Sequence, residues 1–522
     1  MSNAMRLAVL ISSPVVLLAA ATLHAEPPAP YRLDNGLTVI LRPMPTAKQT
    51  AVVVLFNLGG DHDPPGQSGR AHLLEHLYCT AAAGDTPARD FTQIQKRYAG
   101  GSNQQTGSDF TVLAGVVKPE QLAEELTDAA ARMGALRITE ADLKRERPRV
   151  LLELKNMYGG IPSLAGVNHV RTRLHPIAGK GQPGGKARHV KAITLDQLRS
   201  LWQDYYKPNN AVLVLAGKFD VARVRKLIQQ SFGPIPSGKA PPAKPPKPQA
   251  VTGTTHPIEV KSPLPKATGL ASVGYAAPPP GSKDYAPFLV VVSRLTILGQ
   301  GGFRPGEVAP LYWPMLDDPT TVALQAPLAD GNDAQAVLGR LAERLQTALT
   351  SKLTARDRLR AINSLSGLLG TADVPDATWA RNPYTLAFSV GRRHQLKLDG
   401  AKLRAAIQGV TDADVQRLAK GVFSQAKRIA VIVTVQKVPL AIKTPEIIRI
   451  LENEQIEFIA TAHSQTIHIR LKDGREYEGK YVHAEAGEYS DDRKLFDILN
   501  LVTHIKKHRP PEEVKGWMIL CE

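Results

Sequence analysis

Apolar and polar positions change their spacing several times along the chain, and each change predicts an element. From Tyr31 the stretches "GLTVILRP" and "TAVVVLFNLGG" are rich in β-branched residues and end in turn-formers, which predicts two strands. Between Gly69 and about Ala82 the spacing becomes helical, with Leu73, Leu77 and Ala81 on one face. "DFTVLAGVV" (residues 109–117) predicts another strand. "PEQLAEELTDAAARMGAL" predicts a helix with Pro119 at its start. A further helix is expected from about Thr139 to Met157 and another in "LDQLRSLWQDYY". "NAVLVLAG" reads as a strand ended by Gly217.

The pattern breaks at "PSGKAPPAKPPKPQAVTGTT" (residues 236–255). This proline- and lysine-crowded stretch cannot build a core and predicts an extended linker. Beyond it the element order recurs. "AITLDQLRSLWQDYYKPNNAVLVLAGKF" and "GVTDADVQRLAKGVFSQAKRIAVIVTV" each read as a helix, a short turn and an apolar strand. Thr194 and Thr411 are the expected N-caps, 217 residues apart (411 − 194). That distance suggests two domains of one type rather than a short-period solenoid. After Lys437 the texture changes again. "IEFIATA", "TIHIRLKDGREYEGKYV" and "KLFDILNLVTHIKKH" predict a small meander with an Asp473–Gly474 turn and an amphipathic helix. His468, His504 and His508 in this segment read as solvated surface.

The expected class is therefore α+β. Two homologous-looking α+β domains (31–235 and 256–437), each a sheet with helices packed on one face, flank the linker. A small α+β add-on of unknown role occupies 438–522.

Composition alters this picture little. Apolar residues make up 43% of the 522 and charged residues 22%, which argues against wholesale disorder. The net charge of +17 favours anionic surfaces or acidic ligands. Nucleic acid is not expected as a partner, because there is no Cys/His finger spacing and no basic stripe interleaved with aromatics. Residues 1–4 precede a second methionine and read as a tag remnant. "MRLAVLISSPVVLLAAATLHA" then has a positive start, an apolar run and a small residue, Ala25, at the cleavage point of a signal peptide. The competing reading is a membrane anchor, against which Pro14 and the small residues at the end of the run speak. Export is expected, to the periplasm if the source is bacterial, with no stable span after cleavage. The two cysteines, Cys79 and Cys521, sit near opposite ends of the chain and are not expected to pair.

The candidate chemistry lies in "SGRAHLLEHLYCT". On a helix, His72 and His76 stack at i and i+4 and can reach one Zn²⁺. Glu75 lies beside the second histidine, where it can face a water on the metal and act as general base. The order His-x-x-Glu-His is that of the inverzincins. The bland alternative is a helix whose two histidines cap surface carboxylates. A catalytic site needs a third ligand, and "ITEADLKRERPRVLLELKNMYGG" offers Glu146 and Glu153, two turns apart on one face.

These residues resemble the pitrilysin/insulinase-type zinc peptidases, which include mitochondrial processing peptidase. In that family a glutamate ligand follows the second histidine by some seventy-five residues, and Glu153 follows His76 by 77 (153 − 76). The resemblance implies zinc on His72, His76 and Glu153, with Glu146 as an accessory glutamate supporting the site. It extends through "GGSNQQTGSDFTV", where Asn103, Thr106, Asp109 and Thr111 hold matching positions, and through "LHPIAG" and "YYKPNNAVLVLAGKFD". Pro148, between the two glutamates, departs from the pattern and threatens a kink that would misplace Glu146. The family's second-domain arginine and tyrosine, seven apart, have either a distorted counterpart in Arg304 and Tyr312, eight apart, or none, that pair then being a surface arginine and a packed tyrosine. The pair Arg381–Tyr384 is a weaker match.

The implied function is an exported zinc-dependent endopeptidase that hydrolyses peptides or unfolded segments by metal-activated water. Because the chain resembles one half of the family's paired architecture, a homodimer or a related family subunit is expected as partner. The alternatives are a non-catalytic or partner-dependent assembly subunit of the same family, and a basic binding module for anionic polymers.

Overall fold

A computed structural model describes residues 27–98, 101–154, 161–174, 184–240, 243, 253–262, 268–296, 309–311, 321–328, 333–364, 382–437, 450–451, 454–462, 466–472, 476–480 and 518–520. The signal segment, most of the linker, Asp473–Gly474, His504, His508 and Cys521 lie outside these residues.

The first sheet is built from β1 (Tyr31–Arg32), β2 (Thr38–Pro43), β3 (Thr50–Phe56), β5 (Ser102–Thr106), β6 (Thr111–Val117) and β8 (Ala211–Gly217). A separate ribbon pairs β4 (Ala82–Ala83) with β7 (Leu136–Arg137). The strand order is β1-β2-β8-β3-β6-β5, antiparallel except for β2 and β8. The second sheet contains β9 (Thr254–Ser262), β10 (Leu270–Ala276), β11 (Ala309–Leu311), β12 (Thr321–Pro327) and β13 (Ile429–Lys437), in the order β11-β12-β10-β13-β9. Here too one pair is parallel, β9 with β13, and the others are antiparallel. Read from the other edge, β9-β13-β10-β12-β11 reproduces β2-β8-β3-β6-β5 strand for strand. The repeat expected from Thr194 and Thr411 is thus a repeat of whole sheets. Both threonines N-cap their helices (Leu195–Tyr205 and Asp412–Gly421) through capping boxes. The add-on contributes β14 (Ile456–Ala462), β15 (Thr466–Leu471), β16 (Glu476–Lys480) and β17 (Met518–Leu520) in one small sheet.

Side chains alternate across each strand, so each sheet has two faces to bury. In the first sheet Val52, Val54, Phe56, Leu213 and Leu215 face a core shared with the chain's neighbouring helices. Ala51, Val53, Leu55, Val212 and Val214 face the other way. That second face is covered by the helix Pro383–Gln395, which comes from the second half of the chain and packs Ala387 and Val390 onto it. The reverse also holds. The helix Pro162–Leu174, from the first half, lays Ala165, Val170 and Leu174 on Leu270, Ile429, Val431 and Val433 of the second sheet. The two halves therefore exchange one helix each. No helix among the described residues is long and apolar enough to cross a membrane.

Candidate metal centre

The histidine helix runs Arg70–Thr80 and buries Leu73, Leu74 and Leu77 in the first core. Its start is fixed by one side chain. Asp63 accepts hydrogen bonds from the backbone N–H groups of Gly69 (2.7 Å), Arg70 (3.1 Å) and Ala71 (2.9 Å). A carboxylate there satisfies orphan donors and opposes the positive end of the helix dipole. Gly69 adopts φ 92, a left-handed conformation, and a Cβ there would lie 2.6 Å from the Gly184 carbonyl oxygen.

The polar face of this helix meets the glutamate helix, Glu140–Glu153, which Thr139 N-caps. Pro148 lies inside that helix, yet the helix continues through it. Nε2 of His72 and Nε2 of His76 each lie 3.3 Å from the same Glu153 Oε2, and ligand atoms of the three residues lie within 4.8 Å of one another. Tetrahedral zinc with bonds of about 2.0–2.2 Å separates its ligand atoms by about 3.3–3.6 Å, and both imidazole–carboxylate distances match that separation. Glu146 Oε2 lies 3.6 Å from His76 Nδ1, on the side away from Glu153, and is also paired with Arg145 and Arg149. Glu75 is buried and accepts a 2.7 Å hydrogen bond from the Thr106 hydroxyl at the end of β5.

The two glutamates favour positive charge on the imidazoles. Burial alone would push the His76 imidazole down, but Glu146 and Glu153 outweigh it and raise it to about 10. His72 is raised in the same way: burial opposes the shift and Glu153 overcomes it. Against the pull of burial, His76, Arg149 and Arg145 hold Glu146 down at about 2. Glu153 is held well below the carboxylate range by the two imidazoles, again against burial.

Arg304, Tyr312 and Arg381 lie outside the described residues. Tyr384 is on the exchanged helix Pro383–Gln395, where its hydroxyl accepts a hydrogen bond from Asn103. Cys79 sits on the histidine helix itself as a free thiol, pushed up to about 12 mainly by burial.

Residues 38–185 match the family model for Insulinase (Peptidase family M16), and residues 192–302 match that for the Peptidase M16 inactive domain. The chain carries domains of the M16, insulinase/pitrilysin-type, peptidase family. The histidine and glutamate helices both lie within the first M16 match. The zinc protease PqqE of Helicobacter pylori is 28% identical over 234 residues, covering 42% of this chain and 51% of that one. The beta subunit of the mitochondrial-processing peptidase of Saccharomyces cerevisiae is 24% identical over 218 residues, covering 40% and 45%. The chain thus spans about half the length of the curated M16 relatives it matches. Among solved structures, a protease from Helicobacter pylori superposes with a TM-score of 0.67 at 20% identity, covering 78% of this chain and 99% of that one. Pitrilysin superposes at 0.57 and 18% identity, covering 78% of this chain and 44% of the other. At these identities the structural likeness establishes the fold.

Proposed function

We propose that this chain is a zinc-dependent endopeptidase acting on peptides or unfolded segments, with His72, His76 and Glu153 as the metal ligands. The observation that carries the reading is one carboxylate oxygen of Glu153 lying 3.3 Å from both imidazole Nε2 atoms. Two neutral imidazoles and one carboxylate would hold the ion, the donor set of a catalytic zinc site with three protein ligands. Zinc bound there supplies Lewis acidity, polarising a carbonyl and lowering the pKa of water. Glu75 takes the proton from the attacking water and returns it to the leaving amine. Thr106, donating to one oxygen of Glu75, leaves the other to face the water. Glu146 orients His76 from its Nδ1 side and raises its basicity as a ligand.

The chain acts as a dimer in this proposal, with itself or with a related subunit. Support comes from the likeness to the beta subunit of the mitochondrial-processing peptidase, which is by name one subunit of an assembly. Export, directed by the apolar segment after Met5, agrees with the similarity to the periplasmic protease PqqL of Escherichia coli. The competing role is an assembly subunit without catalysis of its own, which the match to an inactive-domain model keeps in play. Metal analysis and peptide digestion separate the two. The peptidase reading expects about one zinc per chain, hydrolysis that a chelator stops, and a Glu75→Gln variant that keeps zinc and loses hydrolysis. Cleavage that survives in that variant would remove Glu75 from its role. Zinc-loaded dimer with no cleavage of unfolded peptides would favour the assembly role.

A further inference from the structure

The turn of residues 107–110 joins β5 to β6 and begins one residue beyond the hydroxyl that holds Glu75. It is gripped from three directions. Its carbonyls accept from the segment leading to the histidine helix, Gly60 N to Gly107 O at 2.9 Å and Asp61 N to Ser108 O at 2.8 Å. Arg171, on the exchanged helix Pro162–Leu174, donates to the Ser108 hydroxyl and to Asp61 Oδ1 at 3.3 Å. Arg392, on the exchanged helix Pro383–Gln395, donates to Asp109 Oδ1 at 2.9 Å, and its guanidinium lies 4.2 Å from the centroid of the Phe110 ring.

Both arginines are buried, Arg392 to 1% exposure. Apolar side chains would glue a helix to a sheet as well or better, since a buried ion pair often contributes no net stability. What a buried guanidinium adds is geometry, because it holds a carboxylate in a fixed place. Two such groups, one from each exchanged helix, converge on a single four-residue turn.

We infer that Arg171 and Arg392 are positioning residues for Glu75. By fixing the turn from both sides they fix Thr106, and through its hydroxyl the orientation of the Glu75 carboxylate. The second half of the chain thereby sets the geometry of the proposed base without touching substrate. The inference rests on the peptidase reading for its catalytic consequence, though not for its structural one.

The test compares Thr106→Val, the paired change Arg392→Met with Asp109→Asn, and their combination, in zinc-loaded full-length protein. Changing both members of the pair avoids leaving either of its two charges buried without the other. Thr106→Val and the paired change are each expected to lower kcat about tenfold, with zinc content kept and KM changed by less than about twofold. The combination should be no worse than Thr106→Val alone, because both act through one contact. Arg392→Lys, a milder variant for the case in which the paired change does not fold, should show a smaller loss that vanishes in the Thr106→Val background. Losses that multiply, or an unchanged kcat, overturn the inference. Crystals of the zinc-loaded variants decide it without catalysis. The Thr106–Glu75 contact should be broken or lengthened in the Arg392 variants, and an intact contact refutes the positioning role. If native protein fails to cleave while that contact responds, the peptidase reading falls and the positioning stands.

Discussion

Glu146 and Glu153 project from one face of one helix, yet their surroundings assign them different work. Glu153 is ion-paired, among the described residues, only with the two imidazoles, so its charge is available to a cation. Glu146 is already matched by Arg145 and Arg149 and meets His76 from behind. Their shifts give a pH dependence with a definite sign. Glu146, held at about 2 against an ordinary 4.5, contributes stability that is present above pH 4.5 and is lost as pH falls through about 2. His76, raised from 6.5 to about 10, contributes stability that is full below pH 6.5 and is lost as pH rises through about 10. In metal-free protein the pair therefore stabilises most between pH 4.5 and 6.5. Zinc needs neutral imidazoles, so its binding competes with those protons. Thermal melts of chelator-treated protein should show Tm falling from pH 6.5 towards 10, and added zinc should raise Tm more at pH 8 than at pH 6. A zinc-induced gain equal at the two pH values would contradict the assignment of His76.

The helices that carry the site differ in how openly the sequence announces them. The histidine helix was legible from Leu73, Leu77 and Ala81, all fully buried, and the glutamate helix from its Thr139 start. Pro148 does not end the glutamate helix. A proline removes one intrahelical hydrogen bond, and the helix here tolerates that loss. Less legible was what starts the histidine helix. Asp63 lies six residues before Gly69 and caps it across a turn, a contact that no i-to-i+3 motif encodes. Replacing Asp63 by alanine orphans three backbone donors and should destabilise the protein by about 2 kcal/mol, with asparagine recovering roughly half. Denaturant unfolding of the metal-free protein measures this. A loss indistinguishable from zero would mean that packing of Leu73, Leu74 and Leu77 alone sets the helix start. Thr106 stood among the positions that resemble the family, but its hydroxyl contact to Glu75 spans 31 residues of sequence and has no local signature.

The arrangement of the two sheets was half legible. The repeat at Thr194 and Thr411 pointed to paired domains with helices on one face of each sheet, whereas the strands "TAVVVLF" and "AVLVLAG" are buried at every position. Such runs belong to strands buried on both faces. Which element covers the second face could not be read, because an amphipathic helix does not name its partner sheet. The answer, an exchange of one helix in each direction, has a mechanical consequence. Gly391 brings its helix so close to the first sheet that a Cβ would lie 2.1 Å from Leu55 Cδ1. A Cβ at Gly274 would lie 2.0 Å from Val170 Cγ1 on the other exchanged helix. Neither sheet can lose its foreign helix without exposing a core face, so the halves should unfold together. Alanine at Gly391 gains up to about 1 kcal/mol of helix propensity but forces Leu55 aside, an overpacking that costs about 1–3 kcal/mol. Gly274→Ala carries the same clash without the helical gain. Calorimetry should show one transition for both halves, lowered by about 1–2 °C per kcal/mol, with Gly274→Ala shifted further than Gly391→Ala. Two resolved transitions, with each glycine variant moving only one, would show that the exchanged helices pack without coupling the sheets. The Arg392 route from the second half to Glu75 would then lose the rigid frame it depends on.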